Sequence, residues 1–170
     1  MTTSLVVLLG VIIGGGYIGW RWTQDQYYVG ADSKGNVVIY RGVNQRIAGI
    51  SLSSPYQPTG IQLAQVPASY QETVRAADAA SNLSGAQAIV ANIRAAVTTC
   101  RQEYTATRDW VTKENAYQAA LALARKQHKS AKDIKGIPGP GPQPPKPSMC
   151  QPSTAFGIAA DALVPSTGAS

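Results

Sequence analysis

The sequence predicts an α+β protein in three parts. A transmembrane helix is expected over 1–22. A small antiparallel sheet, a hairpin or three strands packed with two or three helices, is expected over 23–135. A disordered Pro-rich tail is expected over 136–170. Three observations predict this arrangement. No charged side chain occurs from Met1 to Trp20. Two β-rich runs flank a turn-forming heptapeptide. From Ala86 to Lys135 there is neither Gly nor Pro, after which six prolines fall within the ten residues from Pro138.

The first stretch, SLVVLLGVIIGGGYIGW, is apolar with no polar face. About 20 helical residues at 1.5 Å each span the hydrocarbon core of a bilayer, so the lipid bilayer is the first expected partner. Tyr17, Trp20 and Trp22 cluster at its end, where amphipathic rings favour the headgroup layer, and Arg21 can snorkel beside them. A cleaved signal peptide needs a basic leader and a small-residue cleavage site. No Lys or Arg precedes Arg21, and bulky aromatics stand where cleavage would occur. Gly10 and Gly14, and Gly15 and Gly19, are spaced four apart, which suits close helix–helix packing. Read alone, the basic residues after the segment (Arg21, Lys34, Arg41) would keep the rest of the chain cytoplasmic.

TQDQYYVG and NVVIYRGV are rich in β-branched and aromatic residues. Between them Gly30, Asp32, Gly35 and Asn36 supply turn chemistry, predicting a hairpin with a longer loop. Both faces of NVVIYRG are partly apolar, so the hairpin must pack against something. RIAGISLS (46–53) is expected as a third strand, SPYQPTG (54–60) as a turn carrying two prolines, and IQLAQVP as a short extended piece.

Ser69-Tyr70-Gln71-Glu72 fits a capping box that opens a short helix to about Ala80. Ser84-Gly85-Ala86-Gln87 fits a second. Ile89, Ile93, Val97 and Cys100 then repeat at helical spacing, as do Trp110, Tyr117, Leu121 and Ala124. One long bent helix, or an αα-hairpin with its joint near Glu103–Asp109, satisfies this pattern. Trp110 and Tyr117 are expected as core or hydrophobic cover. GIPGPGPQPPKP (136–147) cannot make a helix, and the small, polar last twenty residues are expected to be disordered.

Composition excludes several kinds of chemistry. Charged residues are 14% of the chain, aromatics 7%, the net charge is +6, and there is one His with two Cys. That rules out a disulfide-dense scaffold, a multi-Cys zinc site and an iron–sulfur protein. No catalytic residue, metal site or cofactor is expected. His128 sits among Arg125, Lys126 and Lys129 and reads as part of a solvated basic turn. Cys100 and Cys150 admit two readings: a disulfide closing a loop of about 50 residues, worth about 4 kcal/mol, or two free thiols. The run Ala124–Lys135 carries Arg125, Lys126, Lys129, Lys132 and Lys135 against one Asp. It suits contact with a cell-wall polymer or another anionic surface, or simply complements a helix C-terminus. No aromatic interleaves it, so nucleic-acid binding is not expected.

QYYVG, VVIYRGV and IAGISLS, directly after a tryptophan-flanked apolar helix, resemble the C-terminal half of actinobacterial membrane-anchored PPM-type (type 2C) Ser/Thr protein phosphatases. The resemblance covers about Val11 to Leu63, with a looser match to about Arg101. It implies a single-pass protein of the cell membrane, with its C-terminal domain extracytoplasmic, serving as a sensing or interaction domain. The family's catalytic half, which needs several Asp residues to hold two metal ions, has no counterpart. The Asp residues here are scattered and none lies in a DG or ED pair. The resemblance therefore implies a non-catalytic portion, with an upstream-encoded phosphatase domain as its partner. Two other functions fit the same residues: a stand-alone membrane interaction protein of inverted topology, and a secreted wall-associated protein.

Overall fold

The computed structural model describes residues 14–15, 26–47, 49–147 and 149–166. The chain forms two compact units, residues 1–95 and 96–170.

The first unit is built on a four-stranded antiparallel sheet: β1 (Tyr27–Ala31), β2 (Asn36–Ile47), β3 (Ile50–Gln62) and β4 (Asp78–Ala80), in the order β3-β2-β1-β4. The β1–β2 loop is fixed by Asp32. One carboxylate oxygen accepts from the Lys34 and Asn36 amides at 2.9 and 2.8 Å, and the other accepts from Asn36 Nδ2 at 2.8 Å. This is the local side chain-to-backbone bonding that makes Asp a turn former.

Alternation along β1 and β2 separates two faces. Val29, Val37 and Ile39 share one face and are almost fully buried. Ile39 and Pro58 there line a groove together with Val90 and Ala91 of α2 (Leu83–Lys126). The Arg94 guanidinium donates to the Thr59 carbonyl at 2.8 Å. Tyr28, Gly30, Val38 and Tyr40 share the other face, near the end of α1 (Ala68–Arg75). Gln71 of α1 reaches back to the Leu63 and Val66 carbonyls at 2.9 and 3.1 Å, tying the helix to the 3-10 turn Leu63–Gln65.

Several elements depart from the sequence expectation. Residues 54–60 continue β3 rather than forming a turn. Pro55 pairs with Tyr40 and Pro58 with Val38, and the register shifts at both steps. β3 is an edge strand, and edge strands and bulges are where a sheet tolerates prolines. α1 ends at Arg75, not near Ala80, because Ala77 turns left-handed (φ +62°) and the chain re-enters the sheet as β4. Neither expected capping box forms. α1 is preceded by Pro67 with no side-chain cap, and the Asn82 side chain, not Ser84, accepts from the Gly85 amide at 2.8 Å. α2 is one uninterrupted helix of 44 residues, which removes the αα-hairpin alternative. Its buried stripe runs through Ala86, Val90, Ile93, Val97 and Cys100, with Ile89 half-buried beside it.

In the second unit Val97, Cys100, Val111, Ala124 and Ile158 are buried. α3 (Ala131–Lys135) is capped by Ser130, whose hydroxyl accepts from the Asp133 amide. The tail expected to be disordered is secured at several points. Trp110 Nε1 donates to the Gly141 carbonyl at 3.0 Å, and the Tyr104 hydroxyl to the Gln151 carbonyl at 2.9 Å. Asn115 Oδ1 accepts from the Ser166 amide at 2.9 Å. Two 3-10 turns, Ser153–Phe156 and Ala160–Leu163, lie between them.

The membrane expectation is corrected. Among the described residues no helix is long and apolar enough to cross a membrane. The longest, α2, carries Arg94, Arg101, Glu103, Arg108 and Asp109 along its middle. The transmembrane helix, and with it the single-pass placement at the cell membrane, is not supported. Of the stretch 1–22, only Gly14 and Gly15 are described. Both are helical and exposed, and a Cβ on either would meet nothing within 4 Å. Gly10, Gly19, Tyr17, Trp20, Arg21 and Trp22 lie outside the described residues.

Candidate functional site

Where β2 meets β3, the pairing Gly42↔Ser53 is followed by Arg46↔Ser51. Three residues on β2 therefore stand opposite one on β3. Such a bulge bends a strand and re-aims its side chains. Gly42 permits it. Its φ is +104°, and a Cβ there would overlap the Leu52 carbonyl oxygen and come within 2.9 Å of Ser53 Cα. The bulge carries Asn44, Gln45 and Arg46 to the rim of a cleft of about 360 Å³.

One wall of the cleft is the aromatic face of the sheet. The Tyr28 and Tyr40 rings stack with centroids 4.9 Å apart and planes 6° from parallel. Gly30 leaves them room, since a Cβ there would stand 3.2 Å from the Tyr28 ring. Cross-strand aromatic pairs of this kind contribute about 0.5–1.5 kcal/mol beyond the area they bury. The Tyr28 hydroxyl and Ser53 Oγ share a hydrogen bond of 2.8 Å, and Ser51 Oγ donates to the Ser53 carbonyl at 3.1 Å. Burial pushes the Tyr40 phenol above its ordinary pKa, and Tyr28 and Asp32 nearby add to the shift. A phenol is protonated at neutral pH, so its O–H can donate.

The opposite wall is the end of α1, with Val74 and Arg75, followed by Ala77. The Arg75 guanidinium donates to Gln71 Oε1 at 2.8 Å, and Gln71 is itself fixed to the 3-10 turn. Ala77 holds a left-handed φ, which disfavours a residue with a Cβ by roughly 1–2 kcal/mol. Among the described residues the lining contains two arginines, hydroxyls, amides and two tyrosines, with no Asp, Glu, His or Cys. It can hold polar and negatively charged groups.

The residues singled out from sequence lie elsewhere. Cys100 and Cys150 form a disulfide with Cα atoms 5.6 Å apart, the first of the two readings left open. Arg125, Lys126, Lys129, Lys132 and Lys135 are all exposed, at the end of α2, in the following turn and along α3. His128 is exposed with a left-handed φ of +52° at the α2 terminus. Trp110 and Tyr117 are half-buried, and Tyr117 borders one groove with the Ile137–Pro140 segment. Among the described residues no group of three or more His, Cys, Asp or Glu side chains gathers. Sequence reasoning missed the cleft. Its signal was the polar interruption Gly42-Val43-Asn44-Gln45-Arg46 between two β-rich runs, which read as strand ends rather than as a bulge. No protein-family model, curated protein or solved structure matches the chain.

Proposed function

We propose that the chain is a non-catalytic binding module that takes a ligand in the cleft between the β2 bulge and the end of α1. The observation that carries this reading is a convergence. The Gly42 bulge and the left-handed Ala77 border the same cleft, and bulges of this kind are over-represented next to binding sites, where they re-aim side chains. The stacked tyrosines hold the wall between them. A lining of arginines, hydroxyls and amides, with no general base among its described residues, suits recognition rather than turnover. The resemblance to the non-catalytic half of PPM-type phosphatases implies the same kind of role, a domain that senses or interacts for an enzyme encoded separately.

The test is ligand mapping by ¹H–¹⁵N NMR on the full chain with a set of small polar compounds. Binders are expected to shift the amides of residues 44–46, 51–53 and 75–77. Binders that all map elsewhere would refute the cleft. Hydrolysis of a phosphopeptide by the purified chain with Mn²⁺ would refute the non-catalytic reading.

A further inference from the structure

We infer that the cleft's ligand carries an oxyanion, phosphate or carboxylate, on a hydroxylated body: a phosphorylated or carboxylated sugar. The inference rests on the reading of the cleft as a binding site and goes further by naming the ligand's chemistry.

Charge comes first. Arg46 and Arg75 reach the cleft from two different elements, the β2 bulge and the last residue of α1. Among the described residues no carboxylate lines it. The nearby acid whose field Tyr40 feels is Asp32. Both its oxygens are spent within its own turn, on the Lys34 and Asn36 amides and the Asn36 side chain. A guanidinium keeps its charge at any relevant pH and presents a fork of donors that matches the oxygen pair of a carboxylate or phosphate. A cationic ligand would meet two like charges among the described lining residues.

The second argument concerns the rest of the ligand. Ser51, Ser53 and Tyr28 form a ladder of hydroxyls along one side. Each hydroxyl has one donor and two acceptor sites, so the bonds they make to each other leave acceptor capacity on residues that line the cleft. The Tyr40 hydroxyl has no hydrogen-bond partner among the described residues and remains a donor. Asn44 and Gln45 add amide groups that both donate and accept. A lining that alternates donors and acceptors in this way matches sugar hydroxyls and is a poor surface for an apolar molecule. A volume of about 360 Å³ lies at the lower end of the range for small-ligand sites, the size of a monosaccharide with one charged group.

The full 170-residue chain with its disulfide intact is titrated by ¹H–¹⁵N NMR at low ionic strength, where charge contacts are least screened. The probes are glucose 6-phosphate, glucuronate and glucose. Either anion, or both, is expected to shift the amides of residues 44–46 and 51–53 and the Nε–Hε signals of Arg46 and Arg75. If only one anion binds, that identifies the oxyanion. Arg46→Gln and Arg75→Gln, both at exposed positions, are each expected to weaken the binding about fivefold or more, with the rest of the spectrum unchanged. Glucose is expected to bind at least about tenfold more weakly than the better anion. Glucose binding in the cleft as tightly as the anions would overturn the oxyanion while leaving the cleft as a binding site. Neither anion shifting cleft signals at millimolar concentration would overturn the inference. So would anion shifts confined to the Arg125–Lys126 end of α2.

Discussion

Gly42→Ala isolates the device that shapes the cleft. Two penalties act at this position. A left-handed backbone costs a residue with a Cβ roughly 1–2 kcal/mol, and φ +104° lies beyond the usual left-handed well. The new methyl would also overlap the Leu52 carbonyl oxygen and press on Ser53 Cα at 2.9 Å. Both are backbone atoms on the paired strand, so relief requires the hairpin to open, at a cost of about 1–3 kcal/mol by analogy with overpacking. Restricting the unfolded chain returns about 0.4–1 kcal/mol. The net expectation is a loss of about 1–4.6 kcal/mol. Gly35→Ala serves as the control. Gly35 also has positive φ, +75°, but a Cβ there meets nothing within 4 Å, so only the torsional cost of about 1–2 kcal/mol, less the same unfolded-chain return, applies. Urea unfolding followed by circular dichroism compares the two against the parent chain. A Gly42→Ala variant within about 0.5 kcal/mol of the parent, or no less stable than Gly35→Ala, would refute the argument that the bulge depends on the missing Cβ.

Three further outcomes are expected. Cys100→Ser with Cys150→Ser opens a loop of sequence separation 50. It should cost about 4 kcal/mol in the chain-entropy account, read as a lower urea midpoint in the variant and in the parent after reduction; an unchanged midpoint would contradict it. Asp32 is held below its ordinary 3.8, chiefly by the Asn36 side chain and then by the Asn36 and Lys34 amides. The stability it adds is therefore present above that value and lost as pH falls towards the depressed one. Thermal melts through the acid range should show Asp32→Asn losing less stability than the parent over that interval. Ala77→Gly removes the left-handed penalty of roughly 1–2 kcal/mol and adds a glycine entropy cost of about 0.5–1. The urea midpoint should therefore rise, and a fall would mean that the Ala77 methyl contributes packing that outweighs its strain.

The parts of the fold legible in the sequence are those whose cause is local. The β1–β2 hairpin follows from Asp32, Gly35 and Asn36, because an Asx turn is completed within five residues. The stripe along the first half of α2 follows from apolar spacing alone. What could not be read has its cause at a distance. Asp78-Ala79-Ala80 has no β-branched or aromatic residue, and it is a strand only because β1 offers it an edge. Ser54–Gly60 reads as a turn because Pro55 and Pro58 lack amide protons. It becomes a strand because β3 lies at the sheet edge and takes up its surplus residues as bulges. There Thr59 Oγ1 donates to the Val37 carbonyl at 2.6 Å, supplying a cross-strand bond where the ladder shifts. Cysteine spacing alone left Cys100 and Cys150 undecided, because pairing depends on where the chain after Pro147 returns to α2.

The cleft belongs to this second class throughout. Each of its walls rests on a choice that local propensity opposes: prolines retained in β3, three β2 residues facing one on β3 at Gly42, and a left-handed alanine after α1. Were the sheet selected for stability alone, a regular hairpin with Gly at position 77 would serve it better. Departures from local rules that gather around one polar cavity are where function is expected to override stability. The combined test is whether Ala77→Gly, expected to be more stable, binds the anionic probe more weakly than the parent. Tighter or equal binding would mean that the left-handed alanine contributes nothing to the cleft, and the Gly42 bulge alone would carry the case for a built site.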